Sequence, residues 1–180
     1  MCLDRFSIRA LLASALILAA AIMVASPLSA QTLAGGSAHT VVLKSDGTVW
    51  TVGFNAYGNL GDGTSSTSRP TILQVAGLSD VVAIAAGGNH SMALTSTGSL
   101  YVWGRNDSGQ VGDGSTTHRY APVQSTLSGV VAIAAGDNHS LALLSNGSVY
   151  AWGSNSSGQL GTGNTTIRRR PSRCHRVPPQ

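Results

Sequence analysis

Three histidines, His39, His90 and His139, stand 51 and 49 residues apart, and imidazoles at so regular an interval are the first residues to ask for chemistry. Converging from successive repeats, they could ligate a transition metal. No carboxylate or thiol recurs beside them, and each shares an alternating strand face with aliphatic residues, as His90 does with Met92 and Leu94. That pattern favours a structural imidazole, one internal hydrogen bond per repeat, and no metal site. Trp50, Trp103 and Trp152, with Tyr101 and Tyr150, could make an aromatic platform for a ligand. Recurrence on a face of period two suits packing between neighbouring units better. Gly53, Gly104 and Gly153 follow these aromatics and belong to the same repeating set.

The loops Gly58 to Gly63, Gly109 to Gly114 and Gly158 to Gly163 read G-x-x-G-x-G, an order that invites a phosphate. A phosphate cradle needs the N-terminal amides of a helix, and no helical pattern follows any of the three. Turns with positive φ are the better use of these glycines. Asp62, Asp107 and Asp113 lie in or beside the loops, but without EF-hand spacing or a closing Glu, so they read as turn caps. Sequons begin at Asn89, Asn106, Asn138, Asn146, Asn155 and Asn164; several fall on fixed repeat positions, which favours a structural origin. The chain has no Glu, no G-x-S-x-G elbow and no cysteine within the repeats. No catalytic set assembles and no cofactor is implied.

The elements that must hold these residues are short strands. Val81 to Ala86 is an apolar run expected to be buried on both faces. His90 to Leu94 and Ser99 to Gly104 alternate, and Thr97-Gly98 between them matches Asp46-Gly47 and Asn146-Gly147 in the neighbouring copies. Such pairs supply the positive φ of tight hairpin turns. A weaker fourth strand is expected after each loop proline, near Thr71 to Val75 and Val123 to Thr126. Four short antiparallel strands per period make one propeller blade.

Val81 to Gly114 and Val130 to Gly163 align without a gap, with 24 of 34 positions identical. An earlier copy begins at Ala34-Gly35-Gly36 and carries His39, Leu43, Gly47, Trp50, Gly53, Asn55, Gly58, Leu60, Gly61 and Gly63 at matching places. The shared motif A-I-A-A-G-x-N-H-S-x-A-L, followed by G-S-x-Y-x-W-G-x-N-x-S-G-Q-x-G-x-G, resembles the regulator of chromosome condensation repeat family. The resemblance covers Ala34 to Pro171 and implies an all-β propeller of four-stranded antiparallel blades, closed in rings of roughly seven. The expected organisation is propeller repeats over 31–171, with units near 33–80, 81–129 and 130–171. Counting two strands in the first unit and four in each of the others gives about two and a half blades, fewer than a propeller needs to close. A truncated relative is therefore expected.

The ends read differently from the repeats. Arg5 and Arg9 precede an apolar run from Ala10 to Ala25, and Ser26-Pro27-Leu28-Ser29-Ala30 then breaks it with small residues. This is the order of a signal peptide over 1–30, cleaved after Ala30, and it places the protein outside the cytoplasm, secreted or periplasmic, with no membrane role after cleavage. The run of 16 residues is short for a spanning helix. Cys2 leaves with this segment and Cys174 lies near the other end, so no disulfide framework is expected. At 172–180 an irregular basic and proline-rich tail is expected. Of the tail arginines, only Arg168 fits the repeat, and Pro and Arg without apolar residues favour disorder. The formal +4 divides into +1 for the leader, +5 for Arg168, Arg169, Arg170, Arg173 and Arg176, and −2 for the repeats between. The acidic repeat region argues against a nucleic-acid partner.

The function implied is an exported scaffold for protein–protein interaction, without catalysis and with an unidentified protein partner. Its uncovered blade ends also point to self-association. Two alternatives stand beside it. The resemblance implies guanine-nucleotide exchange on a small GTPase, as in the founding member of the family, which the leader opposes; the third reading is a truncated fragment without function.

Overall fold

The computed structural model describes residues 32–174, so the expected leader over 1–30 lies outside the described residues. Twelve strands form three four-stranded antiparallel sheets, each a meander in chain order. The first blade is β1 (Thr32–Gly35), β2 (His39–Leu43), β3 (Val49–Asn55) and β4 (Ser66–Gln74). The second is β5 (Val81–Ala86), β6 (His90–Thr95), β7 (Leu100–Gly104) and β8 (Arg119–Gln124). The third is β9 (Val130–Ala135), β10 (His139–Leu144), β11 (Val149–Gly153) and β12 (Arg168–Arg173). The all-β, four-stranded reading holds, and the blade count is three rather than two and a half. The first unit, counted as two strands, has four, and the strands at the two ends were the least legible for different reasons. β1 pairs with β2 from Thr32↔Leu43 to Gly35↔Thr40 without the V-V-A-I signature of its counterparts. β12 pairs Arg173 with Tyr150 and Ser172 with Ala151, so the arginines expected in a disordered tail form an edge strand instead.

The outermost strands also run through the prolines rather than starting after them. Pro70, Pro122 and Pro171 sit inside β4, β8 and β12, each where the register shifts, for example between Val102↔Val123 and Gly104↔Arg119. An edge strand with a bulge can spare the missing N–H. Bulges also explain a second departure. Val82 and Val131 were expected inside but are more than half exposed. Each is the extra residue at a register shift at the start of the blade's first strand, between Val81↔Thr95 and Ala83↔Leu94 in the second blade, and turns outward there.

The β2–β3 turn closes with Gly47 N–H donating to Lys44 O and Lys44 N–H to Thr48 O, both at 3.0 Å. Only Gly47, at φ 78°, is left-handed, so Asp46 keeps ordinary backbone and the hairpin is a three-residue loop with a glycine bulge. The cores lie between sheets. Val41, Leu43 and Val49 of the first blade meet Ala93 and Trp103 of the second; Met92, Leu94, Leu100 and Val102 of the second meet Ala142 and Trp152 of the third.

Candidate functional site

His39 and His90 join each blade to the next, whereas His139, partly buried in the third blade, makes no such bond among the described residues. Ser91 Oγ donates to Asn59 O at 2.9 Å, so its lone pairs face His39 Nε2 at 3.0 Å, and that nitrogen carries the proton. The same relay follows in the next junction, where His90 Nε2 donates to Ser140 Oγ at 2.9 Å and Ser140 Oγ donates to Gln110 O at 2.8 Å. The bond expected inside each repeat therefore crosses to the next one. Each ring presses on a glycine: a Cβ on Gly36 or Gly87 would meet His39 or His90 Cε1 at 2.3 and 2.2 Å. That contact is why A-A-G recurs, and it seals the buried, unpaired Nδ1 atoms of both rings. Burial lowers His39 from 6.5 to about 4. His90, fully enclosed and flanked by the other two histidines, falls to about 3. Neutral imidazoles bonded through Nε2 and sealed at Nδ1 offer a metal no open position. Accordingly, neither a chelator nor added Zn²⁺ should move the melting temperature, and a metal-dependent shift in a thermal melt would refute this assignment.

The tryptophans reinforce the same junctions. Trp103 Nε1 donates to Asn59 O at 2.9 Å and Trp152 Nε1 to Gln110 O at 2.8 Å, each from one blade to the loop of the blade before. Both side chains are fully buried and lie against Gly61 and Gly112. Trp50 is not their counterpart. It pairs with Val42 as Tyr101 pairs with Ala93, which puts it at the tyrosine position, while Val52 occupies the tryptophan position. Lys44 Nζ sits 3.6 Å over its ring, and its Nε1 donates to Thr48 Oγ1 within its own hairpin. Gly104 and Gly153 end β7 and β11, and Gly53 lies within β3, with φ of 103°, 101° and 115°. There a Cβ would strike the carbonyl oxygen of Ala38, Asn89 or Asn138 at 2.7 Å or less.

Asparagines at fixed repeat positions, two of them in sequons read as structural, hold the loops. Asn55, Asn106 and Asn155 are fully buried, and their Oδ1 atoms accept from Leu60, Val111 and Leu160 N–H at 2.9–3.0 Å. Their invariance across the three copies was the available signal. Burial also removes Asn106 and Asn155 as glycan acceptors in the folded chain. Asp62 and Asp113 cap turns through Thr64 and Ser115 and pair with Arg69 and Arg119. Burial opposes their charge, but those hydrogen bonds and the arginines hold both carboxyls below the usual range. Asp107 instead meets Arg105 Nε at 2.7 Å.

One apolar surface is open. Leu143 and Val149 are exposed at the positions where Leu94 and Leu100 are buried under the following blade. Among the described residues nothing covers them.

Two family models described as Regulator of chromosome condensation (RCC1) repeat match the chain, one over 31–59, 81–110 and 130–159, the other over 46–94, 97–143 and 146–179. The ultraviolet-B receptor UVR8 of Arabidopsis thaliana is 40% identical over 93 residues, which are 51% of this chain and 21% of that protein. The RCC2 homolog of Danio rerio is 38% identical over 82 residues, 45% of this chain and 17% of that one. The chain thus spans about a fifth of these relatives. Among solved structures, Prp20p of Saccharomyces cerevisiae superposes with a TM-score of 0.71 at 26% identity, covering 81% of this chain and 38% of Prp20p. Human WBSCR16 does so with a TM-score of 0.69 at 27% identity, covering 82% and 37%. With three repeats matched along most of the described chain and the same blades in the solved relatives, this chain belongs to the regulator of chromosome condensation (RCC1) repeat family.

Proposed function

We propose that this chain is an exported propeller-repeat scaffold that binds protein through the apolar face that its third blade exposes among the described residues, and performs no catalysis. The observation that carries the reading is the face of the third blade. Leu141, Leu143 and Val149 repeat the surface with which Met92, Leu94 and Leu100 receive a whole blade, so the face is already shaped for a folded polypeptide. Yeast Prp20, solved bound to Kap60 and characterised for its binding to Gsp1p and histones, shows the fold in a protein-binding role. Two of the three candidate histidines, His39 and His90, are engaged in holding neighbouring blades.

The test is a photo-crosslinking residue at Leu143 in the expressing cell, beside a control at the exposed Asn146 on the hairpin turn. A discrete protein adduct at Leu143 alone supports the scaffold, and an adduct with a second copy identifies self-association. Equal labelling at both positions would end the reading. Export makes a separate prediction: the mature chain should begin at or within a few residues of Gln31, as read by mass spectrometry of the exported protein. An exported, folded chain that retains Met1 would contradict it.

A further inference from the structure

We propose that the arginine cleft of the third blade is a carboxylate-binding site whose ligand is an acidic segment of a partner protein. The choice of a peptide ligand rests on the scaffold reading above; the site itself stands on a comparison among the three blades.

In the first two blades the loop after the third strand supplies its own acid. Asp62 Oδ2 lies 2.7 Å from Arg69 Nε, a contact that is electrostatic because the N–H is not aimed at the oxygen. Arg119 Nε donates to Asp113 Oδ2 at 2.6 Å. The other carboxylate oxygen closes the turn, accepting from Thr64 N–H and Oγ at 3.0 and 2.8 Å, or from Ser115 N–H and Oγ at 2.9 and 2.8 Å. In the third blade Thr162 stands where the acid stood, and Asn164 takes over the turn by accepting from Thr166 N–H at 3.0 Å. The arginine has not changed place: Arg168 sits opposite Gly153 as Arg119 sits opposite Gly104 and Arg69 opposite Gly53. Its Nε is enclosed and has no acceptor. An enclosed guanidinium N–H without an acceptor is costly. The partly exposed Arg168, unlike Arg69 and Arg119, has no carboxylate beside it among the described residues, so an acid from outside the blade is favoured.

Positive charge is concentrated at the same spot. Arg168, Arg169 and Arg170 line one cleft with Gly114, Ile167 and Ser172, and no acidic residue shares it. Arg169 and Arg170 stand where the second blade has Tyr120 and Ala121, and the Arg170 guanidinium rests on Gly114, where a Cβ would collide with it. The third blade has therefore lost its internal carboxylate and gained two cations beside the place it occupied. A carboxylate from a partner would restore the pair that Asp62 and Asp113 make within the chain.

The experiment is calorimetric titration of the full chain at low ionic strength with a hexa-aspartate peptide and, separately, with inorganic phosphate. Saturable peptide binding is expected. R168Q should weaken it by about tenfold or more, the usual cost of a charge-assisted pair. T162D should weaken it similarly by placing the acid inside the blade, and should raise the melting temperature. That second readout keeps the test open should R168Q fold poorly. R173Q, on the same strand but outside the cleft, should change affinity by less than about threefold, as screened surface charges do. The proposal fails if R173Q matches R168Q, if T162D binds like the unaltered chain, or if phosphate binds and the peptide does not. Crosslinking at Leu143, on a different face, reports on the scaffold reading independently of this result.

Discussion

Acidified from pH 7 to pH 4, the folded chain should lose a large part of its stability. His39 and His90 are neutral inside the blade junctions, with folded values of about 4 and about 3 against 6.5 when free. Below pH 6.5 the unfolded chain takes up protons on these imidazoles and the folded chain does not, so stability falls as pH falls. The loss continues until each folded value is reached. At about 1.4 kcal/mol per pH unit, the fall from 6.5 to 4 is worth roughly 3 kcal/mol for each imidazole, against a total of about 5–15 kcal/mol for an ordinary domain. The lowered carboxyls of Asp62 and Asp113 contribute stability that is present above 3.8 and lost below it, so they add to the loss only in the last part of the His90 window. Urea unfolding from pH 7 to 4 should show a midpoint that falls steadily. In the H39Q/H90Q variant, whose amides can still donate to Ser91 and Ser140 but do not titrate, the curve should flatten. An unaltered chain with a flat profile, or a variant with the same slope, would show that these imidazoles are not the neutral clasps described.

How much of this was legible beforehand depends on whether a residue acts within its repeat or across to the next. The hairpins, the buried aromatics and the glycines after them follow from period and alternation, which are local properties. The partner of His39 is not local: Ser91 lies in the following copy, and no spacing within one repeat points to it. Trp50 misled because residue type was matched before register, whereas counting back from Gly53 puts Val52, not Trp50, beside the glycine as Trp103 is beside Gly104. β12 was hidden because its strand is held by backbone pairing at an edge, where side-chain pattern carries little information and four arginines are tolerated. The carboxylate-binding cleft was hidden for the converse reason. Its signal is the absence of an acid at Thr162, which has meaning only once Asp62 and Asp113 are seen to hold the arginines of their own blades.

Trp103→Ala should be among the most damaging single substitutions in the chain. The side chain is fully buried, fills the first blade junction against Gly61, and donates to Asn59 O. Truncation leaves a cavity that the surrounding strands cannot close, at a cost of about 3–5 kcal/mol. Asn59 O still accepts from Ser91 Oγ, so the lost hydrogen bond adds little to that figure. Trp103→Phe separates the two contributions: it keeps most of the ring volume, removes the N–H, and should cost only about 1–2 kcal/mol. Trp50→Ala is the decisive comparison. That ring is partly exposed, bonded within its own hairpin and covered by Lys44, so its loss should cost about 1 kcal/mol, in the range of an exposed cation–π contact with some packing. Urea midpoints for the three variants, with unchanged denaturant slopes, measure this directly. If Trp50→Ala destabilised as much as Trp103→Ala, the register that places Trp50 outside the junction would be wrong, and the inter-blade clasp built on Trp103 and His39 would have to be redrawn.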